Sequence, residues 1–417
     1  MHMRVLTTET ATRDAARRAV AEAPIVDVHT HLYPSPFGDL LLWGVDELLT
    51  YHYLVAEVFR VADLDYEAFW AMPKREQADL IWQSLFVDRS PVSEACRGVL
   101  TCLKEMGMDV AGRNLEEFRA FLASRSAEEQ VDAVFKLANL RYVVMTNNPF
   151  DDEERAVWER GFEPDSRFKT ALRVDELLVN LPQAIRALGA MGYQVSDALG
   201  SGDLAEIRRF LEDWTAKMGP LYMAASLPPT FMYPEDSAPS KVLEECFLPV
   251  GKEHNLPFAM MIGVKKLVNP ALRLAGDSVG KASIEAIENL CMKHPQNKFL
   301  LTFLSRENQH ECCVAARKFR NLHVFGCWWF LNNPSIIDEI ARERLELLGL
   351  SVTLQHSDAR VLDQLVYKWA HSRVILGEVL ADKYADLQAT GWQTNDAEID
   401  RDVRLLFGGA FEDFLNA

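Results

Sequence analysis

Two histidines, His29 and His31, close the short apolar run Ile25-Val26-Asp27-Val28. In an extended strand residues i and i+2 share a face, so the two imidazoles stand side by side at a strand end. Such a pair suits one divalent transition metal, zinc above all. A His-x-His carries little weight alone. Here the apolar strand, the preceding Asp27 and the terminating Pro34 and Pro36 strengthen it. The third ligand and the groups that hold a substrate must come from elsewhere in the chain.

The elements that would bring them follow from the apolar pattern. A polar-rich helix over 7–22, capped by Thr7 or Thr8, leads into the first strand. From Asp39 to Asn139 the periodicity is almost wholly helical, with Asp46–Phe59 and Val92–Met106 among its segments. Beyond it, β-rich runs at 140–146, 168–174, 221–227, 257–263, 298–304, 322–329 and 350–354 alternate with helical stretches. Near-continuous apolar strands imply burial on both faces, as parallel sheets require. Eight strand–helix units predict an α/β fold, a (β/α)8 TIM barrel with a helical insertion after strand one. A doubly wound sheet competes, but no Gly-x-Gly-x-x-Gly follows any strand. The expected divisions are 1–38 (N-terminal helix and strand one), 39–139 (helical insertion) and 140–417 (the rest of the barrel and C-terminal helices).

Barrel chemistry sits at the C-terminal strand ends. Asp358, after strand eight, lies beside strand one once the barrel closes, and is the expected third ligand. Two His and one carboxylate leave positions open for water or substrate. Arg173 and Arg360, at two further strand ends, suit bidentate capture of a carboxylate. Trp328-Trp329 offers apolar wall at the seventh end. His52 and Tyr53, neighbours on a helix, point about 100° apart and read by themselves as packing residues.

Composition bounds the partners. The chain has 417 residues, 49% hydrophobic, with a net charge of −17. That charge disfavours nucleic acid and anionic membrane surfaces, and requires local arginines for any acidic substrate. Seven scattered cysteines without a C-x-x-C predict reduced thiols and a cytoplasmic location. Neither a signal peptide nor a membrane span is expected.

Taken together, these segments resemble uronate isomerase (glucuronate isomerase), a branch of the amidohydrolase superfamily. The resemblance is carried by Pro24-Ile-Val-Asp-Val-His-Thr-His-Leu-Tyr-Pro34, Tyr51-His-Tyr-Leu54, Ala171-Leu-Arg-Val-Asp175, Gly326-Cys-Trp-Trp-Phe330 and His356-Ser-Asp-Ala-Arg360. It implies a metal, usually zinc, on His29, His31 and Asp358, and a sugar acid held by Arg173 and Arg360. It also implies that His52 and Tyr53 reach the site, with Trp328 or Trp329 lining it. The reaction implied is aldose–ketose isomerisation of a uronate through an enediol, with Tyr53, His52 and Asp358 as acid/base candidates. A homo-oligomer is compatible with this. The sequence departs from the family pattern at Met261, where a His is usual, at Lys265-Lys266 for Arg-Asn, and at Asn147-Asn148 for Asp-Asp. A mononuclear metal hydrolase or decarboxylase acting on another carboxylate is the second function class.

Overall fold

A computed structural model describes residues 5–417. Seven parallel strands follow one another round a curled sheet: β1 Ile25–Thr30, β2 Leu140–Asn147, β3 Phe168–Arg173, β4 Met223–Leu227, β5 Phe258–Ile262, β6 Phe299–Phe303 and β7 Leu322–Val324. Neighbours in sequence are neighbours in the sheet throughout, as in a (β/α)8 barrel. The expected eighth strand is only a single bridge, Phe325 to Thr353. There the Gln355 side chain replaces part of the ladder, its Oε1 accepting from the N–H groups of Cys327 and His356 at 3.0 Å each. Closure onto β1 comes further along, where Asp358 N–H donates to the His29 carbonyl (3.2 Å) and His31 N–H to the Ala359 carbonyl (2.8 Å).

The seventh strand is also shorter than its apolar run. It stops before Gly326, whose φ of +64° turns the chain. A Cβ at Gly326 would lie 1.7 Å from His356 Cδ2, so only glycine lets the His356 ring pack there.

Two apolar clusters divide the interior. One fills the barrel, with Val28, Val144, Ala224, Ala259, Leu300 and Phe325 among its members. The other lies between the sheet and the helices, and joins the segment between β1 and β2 to both terminal helices through residues such as Leu54, Leu103, Val20 and Leu365. The helix Glu9–Glu22, capped by Thr8 as expected, packs on the long helix Gln364–Ala389. No described helix is long and apolar enough to cross a membrane.

The helix expected over Asp46–Phe59 is two, Val45–Leu49 and His52–Val58. Thr50 Oγ1 donates back to the Asp46 carbonyl at 2.7 Å, and Tyr51 is extended (φ −65°, ψ 142°). A hydroxyl that competes for helical carbonyls favours such a break. The break starts a new helix with His52 and Tyr53 in its first turn.

At the opposite end of the barrel, buried His323 shares a 2.9 Å hydrogen bond with Thr353 Oγ1 and stacks on Phe414. Burial lowers its pKa from 6.5 to about 3. Between these values the unfolded chain binds a proton that the folded one refuses, so stability falls as pH drops below 6.5, by about 1.4 kcal/mol per unit. His323→Gln removes this group's share. In urea titrations at pH 7 and pH 5 the wild type should lose about 2 kcal/mol more than the variant; equal losses would show that His323 is not held neutral.

Candidate active site

The site begins with an irregularity in β1. Its register with β2 shifts between Asp27 and Thr30. A bulge re-aims side chains. Asp27 therefore faces the outer helices, where Oδ2 accepts from Trp369 Nε1 at 2.8 Å. His29 instead faces the barrel axis, its ring 6.3 Å from Phe325. His31 stands edge-on to His29, with ring centroids 5.3 Å apart.

Hydroxyl groups fix both imidazoles. Tyr222 Oη donates to the Val28 carbonyl (2.7 Å), so it accepts from His29 Nδ1–H (3.3 Å). Thr146 Oγ1 donates to the Thr30 carbonyl (3.0 Å), so it accepts from His31 Nδ1–H (2.8 Å). Each hydroxyl has a single proton, and a backbone carbonyl takes it. The lone pair of each imidazole is thus left on Nε2. The two Nε2 atoms lie 3.6 and 3.2 Å from Asp358 Oδ1.

One ligand atom from each of His29, His31 and Asp358 lies within 4.8 Å of the others, the one such grouping among the described residues. His29 Nε2 and Asp358 Oδ1 are buried without a hydrogen-bond partner. Burial, then the like charge on His31, pushes the His29 pKa down to about 3; burial, then Arg360, lowers that of His31. Neutral imidazoles fixed through Nδ1, beside an unpartnered carboxylate oxygen, are the donor set a divalent metal requires.

Around this cluster lies a small recess. Arg173, Arg360, Trp328, Trp329 and His52, all singled out in the sequence, line it together with His31 and Asp358. Tyr53 packs against the barrel-interior cluster, and its hydroxyl donates to the Trp329 carbonyl at 3.3 Å. Burial, then the nearby Tyr51 and Asp358, raises its pKa well above 10. His52 faces the recess with both ring nitrogens buried and unpartnered, and burial keeps it neutral.

The two arginines differ. Arg173 donates from Nε and Nη2 to both oxygens of Asp175, at 2.8 and 2.9 Å. The Arg360 side chain has no ion pair or hydrogen bond among the described residues, although its backbone N–H reaches Gln364 Oε1 at 3.0 Å. Arg360 is therefore the cation open to an anionic ligand.

Periodicity and strand ends pass over several lining and supporting groups. Tyr222 precedes β4 and reaches His29 only by the length of its side chain. Tyr51 lines the recess beside His52. Lys266 does so from a two-stranded ribbon, Val264–Lys265 with Ser278–Val279, its ammonium 2.8 Å from buried Asp277 and 5.9 Å from the Trp329 ring centre. Lys368 is buried in the helix Gln364–Ala389; a charge within the apolar run Leu365-Val-Tyr-Lys-Trp369 was its one signal.

No protein-family model and no curated protein matches the chain. Solved structures do. A uronate isomerase from Bacillus halodurans C-125 shares 56% identity over 99% of this chain and 97% of that one, with a TM-score of 0.97. This chain belongs to the uronate isomerase family. A uronate isomerase from Thermotoga maritima (TM-score 0.75, covering 97% of each chain) and a glucuronate isomerase from Caulobacter crescentus (0.78, covering 97% of this chain and 94% of that one) share the fold at 16% identity each.

Within the family frame, two of the departures noted in the sequence have local explanations. Asn147 Nδ2 and Asn148 N–H donate to the two oxygens of Glu154, at 2.8 Å each, and Asn148 Nδ2 donates to Glu176 at 3.1 Å. Aspartates there would set carboxylate against buried carboxylate. Burial pushes Glu154 up to about 7, against four hydrogen bonds, from Asn147, Asn148, Trp158 and Tyr33, that favour its ionised form. Met261 is buried in the barrel-interior cluster and is not among the residues that line the recess.

The hydroxyl that orients His31 gives a direct test. Thr146→Val keeps the shape and removes the acceptor. Metal affinity, measured by competition with a chromophoric chelator, should fall about 10- to 100-fold. Unchanged affinity would show that the Thr146 contact does not set the His31 tautomer.

Proposed function

We propose that this chain is a metal-dependent aldose–ketose isomerase of hexuronates, interconverting D-glucuronate and D-fructuronate or galacturonate and tagaturonate. The observation that carries this is an unpaired guanidinium, Arg360, beside a His-His-Asp ligand set in one recess. The 56% identity to a protein named uronate isomerase supports it. His29, His31 and Asp358 would hold the metal, and zinc suits two imidazoles and one carboxylate. When bound, the metal supplies Lewis-acid polarisation of the sugar's carbonyl group.

This chain's own residues do the rest. Arg360 holds the substrate carboxylate and, with Arg173 in the same wall, fixes the distance from that carboxylate to C2. Of the three acid/base candidates, Asp358 belongs to the proposed metal ligand set and Tyr53 is held protonated. His52 remains as a neutral imidazole facing the recess. His52 takes the proton from C2 and returns it to C1. The hydroxyl proton passes from the oxygen that becomes the carbonyl to the oxygen that becomes a hydroxyl, and Tyr53, whose proton goes to the Trp329 carbonyl, holds that wall of the recess in place. Trp328 and Trp329 wall the sugar and keep water from the carbanion-like centre.

The test is proton NMR of D-glucuronate and of galacturonate with enzyme in deuterated water. Formation of the ketose, or exchange at C2, is expected with at least one of them. Neither product nor exchange with either sugar sinks the proposal; turnover of a lactone or amide in its place would make the chain a hydrolase. In the same assay Arg360→Met should raise KM about 10- to 100-fold through loss of a charge-assisted hydrogen bond. His52→Asn should lower kcat about 10²- to 10⁴-fold.

A further inference from the structure

We propose that Lys368 is a positioning residue for Asp358, acting through the backbone of Ser357; this rests on the assignment of Asp358 as a metal ligand. Lys368 is 3% exposed. Lysine is almost never buried so fully without an acidic partner. Among the described residues Lys368 makes no ion pair, and its Nζ donates to the Ser357 carbonyl. Its ammonium also lies 6.0 Å from the centre of the Tyr53 ring.

Ser357 immediately precedes Asp358, and the protein grips it from both sides. Its N–H donates to Asp27 Oδ1 at 3.0 Å, and Asp27 Oδ2 accepts from Trp369 Nε1. Its carbonyl accepts from Lys368 and from Asn332 Nδ2, the latter at 3.0 Å. Lys368 and Trp369, consecutive in one helix, thus hold the Ser357 peptide groups and the strand that carries His29 and His31. The residue so held is in an unusual conformation: Asp358 has a φ of +51°. For a residue other than glycine, such a conformation persists only where its surroundings over-determine it.

Stability does not explain this lysine. An ammonium taken out of water with one acceptor costs more than the bond returns, and an apolar side chain of similar length is tolerated at least as well. The Ser357 carbonyl would keep Asn332 as its donor. What methionine cannot supply is the second hold on the peptide that sets the Asp358 carboxylate opposite His29 Nε2 and His31 Nε2.

The experiment compares the zinc-loaded wild type with Lys368→Met and Asn332→Ala in three measurements. These are the thermal midpoint, the zinc dissociation constant by chelator competition, and kcat and KM for the uronate turned over. For Lys368→Met the expected result is an unchanged or raised midpoint, zinc affinity about tenfold weaker, kcat at least about tenfold lower and KM within about threefold. Asn332→Ala, which removes the other donor to the same carbonyl, should weaken zinc in the same direction by a smaller factor, and decides the matter if the methionine variant does not fold. Wild-type zinc affinity in both variants overturns the proposal, as does a fall in the midpoint that accounts for the lost activity. Zinc affinity is read without substrate. An inactive wild type that binds zinc would therefore refute the isomerase assignment and leave Lys368 to be judged on the metal alone, whereas a wild type that binds no zinc overturns both.

Discussion

The structure depends on one seam, the closure of the barrel between β1 and the segment that follows the missing eighth strand. Two backbone hydrogen bonds, Asp358 to His29 and His31 to Ala359, join the segments that carry all three candidate ligands. Closure and ligand geometry are therefore one event: if the seam slips by a residue, the ligand set is lost. A regular eighth strand would fix that register with its own ladder. Here a single bridge at Thr353 and the side chains of Gln355, Asp27 and Asn332 replace it. The bulge in β1 belongs to the same solution, because it frees Asp27 to hold the seam from outside while His29 faces inward.

Around the seam the local field opposes the global one. A chain of net charge −17 repels an acidic ligand at a distance. At the mouth, Arg360, Arg173 and Lys266 converge, and each of the last two carries its own aspartate. That leaves one uncompensated guanidinium, Arg360, in the wall of the recess. The neutral histidines follow from the same surroundings. Burial and the arginines both oppose imidazolium, so the imidazoles are held neutral.

Much of this was legible in the sequence, for reasons that can be named. Apolar runs separated by helical periodicity gave the barrel order, and strand ends gave His29, His31, Arg173 and Asp358, because side-chain direction in a strand follows from covalent geometry. The failures are equally physical. The runs at 322–329 and 350–354 are apolar enough for strands, but Gly326 turns the first and Gln355 satisfies the second from its side chain, and neither effect shows in hydropathy. His52 and Tyr53 read as packing until family resemblance moved them, because the helix break at Thr50 depends on one hydroxyl. Tyr222 stayed hidden because it acts on residues far away in sequence, and Lys368 because its partner is a backbone carbonyl, which no side-chain pattern shows. The His29 and His31 rings stand 5.3 Å apart at the strand end, although a register shift lies between Asp27 and Thr30.

The recess also bears on which chemistry such a ligand set performs. A mononuclear hydrolase must admit water beside its metal, whereas an isomerase must carry a proton from one carbon to the next before solvent replaces it. Here the surroundings favour exclusion. Val264, Trp328 and Trp329 make apolar wall. The loop between the two ribbon strands crosses to the helices that follow β1, where the Ala271 carbonyl accepts from Trp70 Nε1 at 2.8 Å and Arg273 stacks 4.5 Å from the Trp70 ring. Lys266 at the base of that loop covers Trp329. The helical segment thus serves the recess twice, presenting His52 to it and anchoring the loop beside it. Both contributions are what proton transfer within one substrate needs, and neither helps a reaction that consumes water.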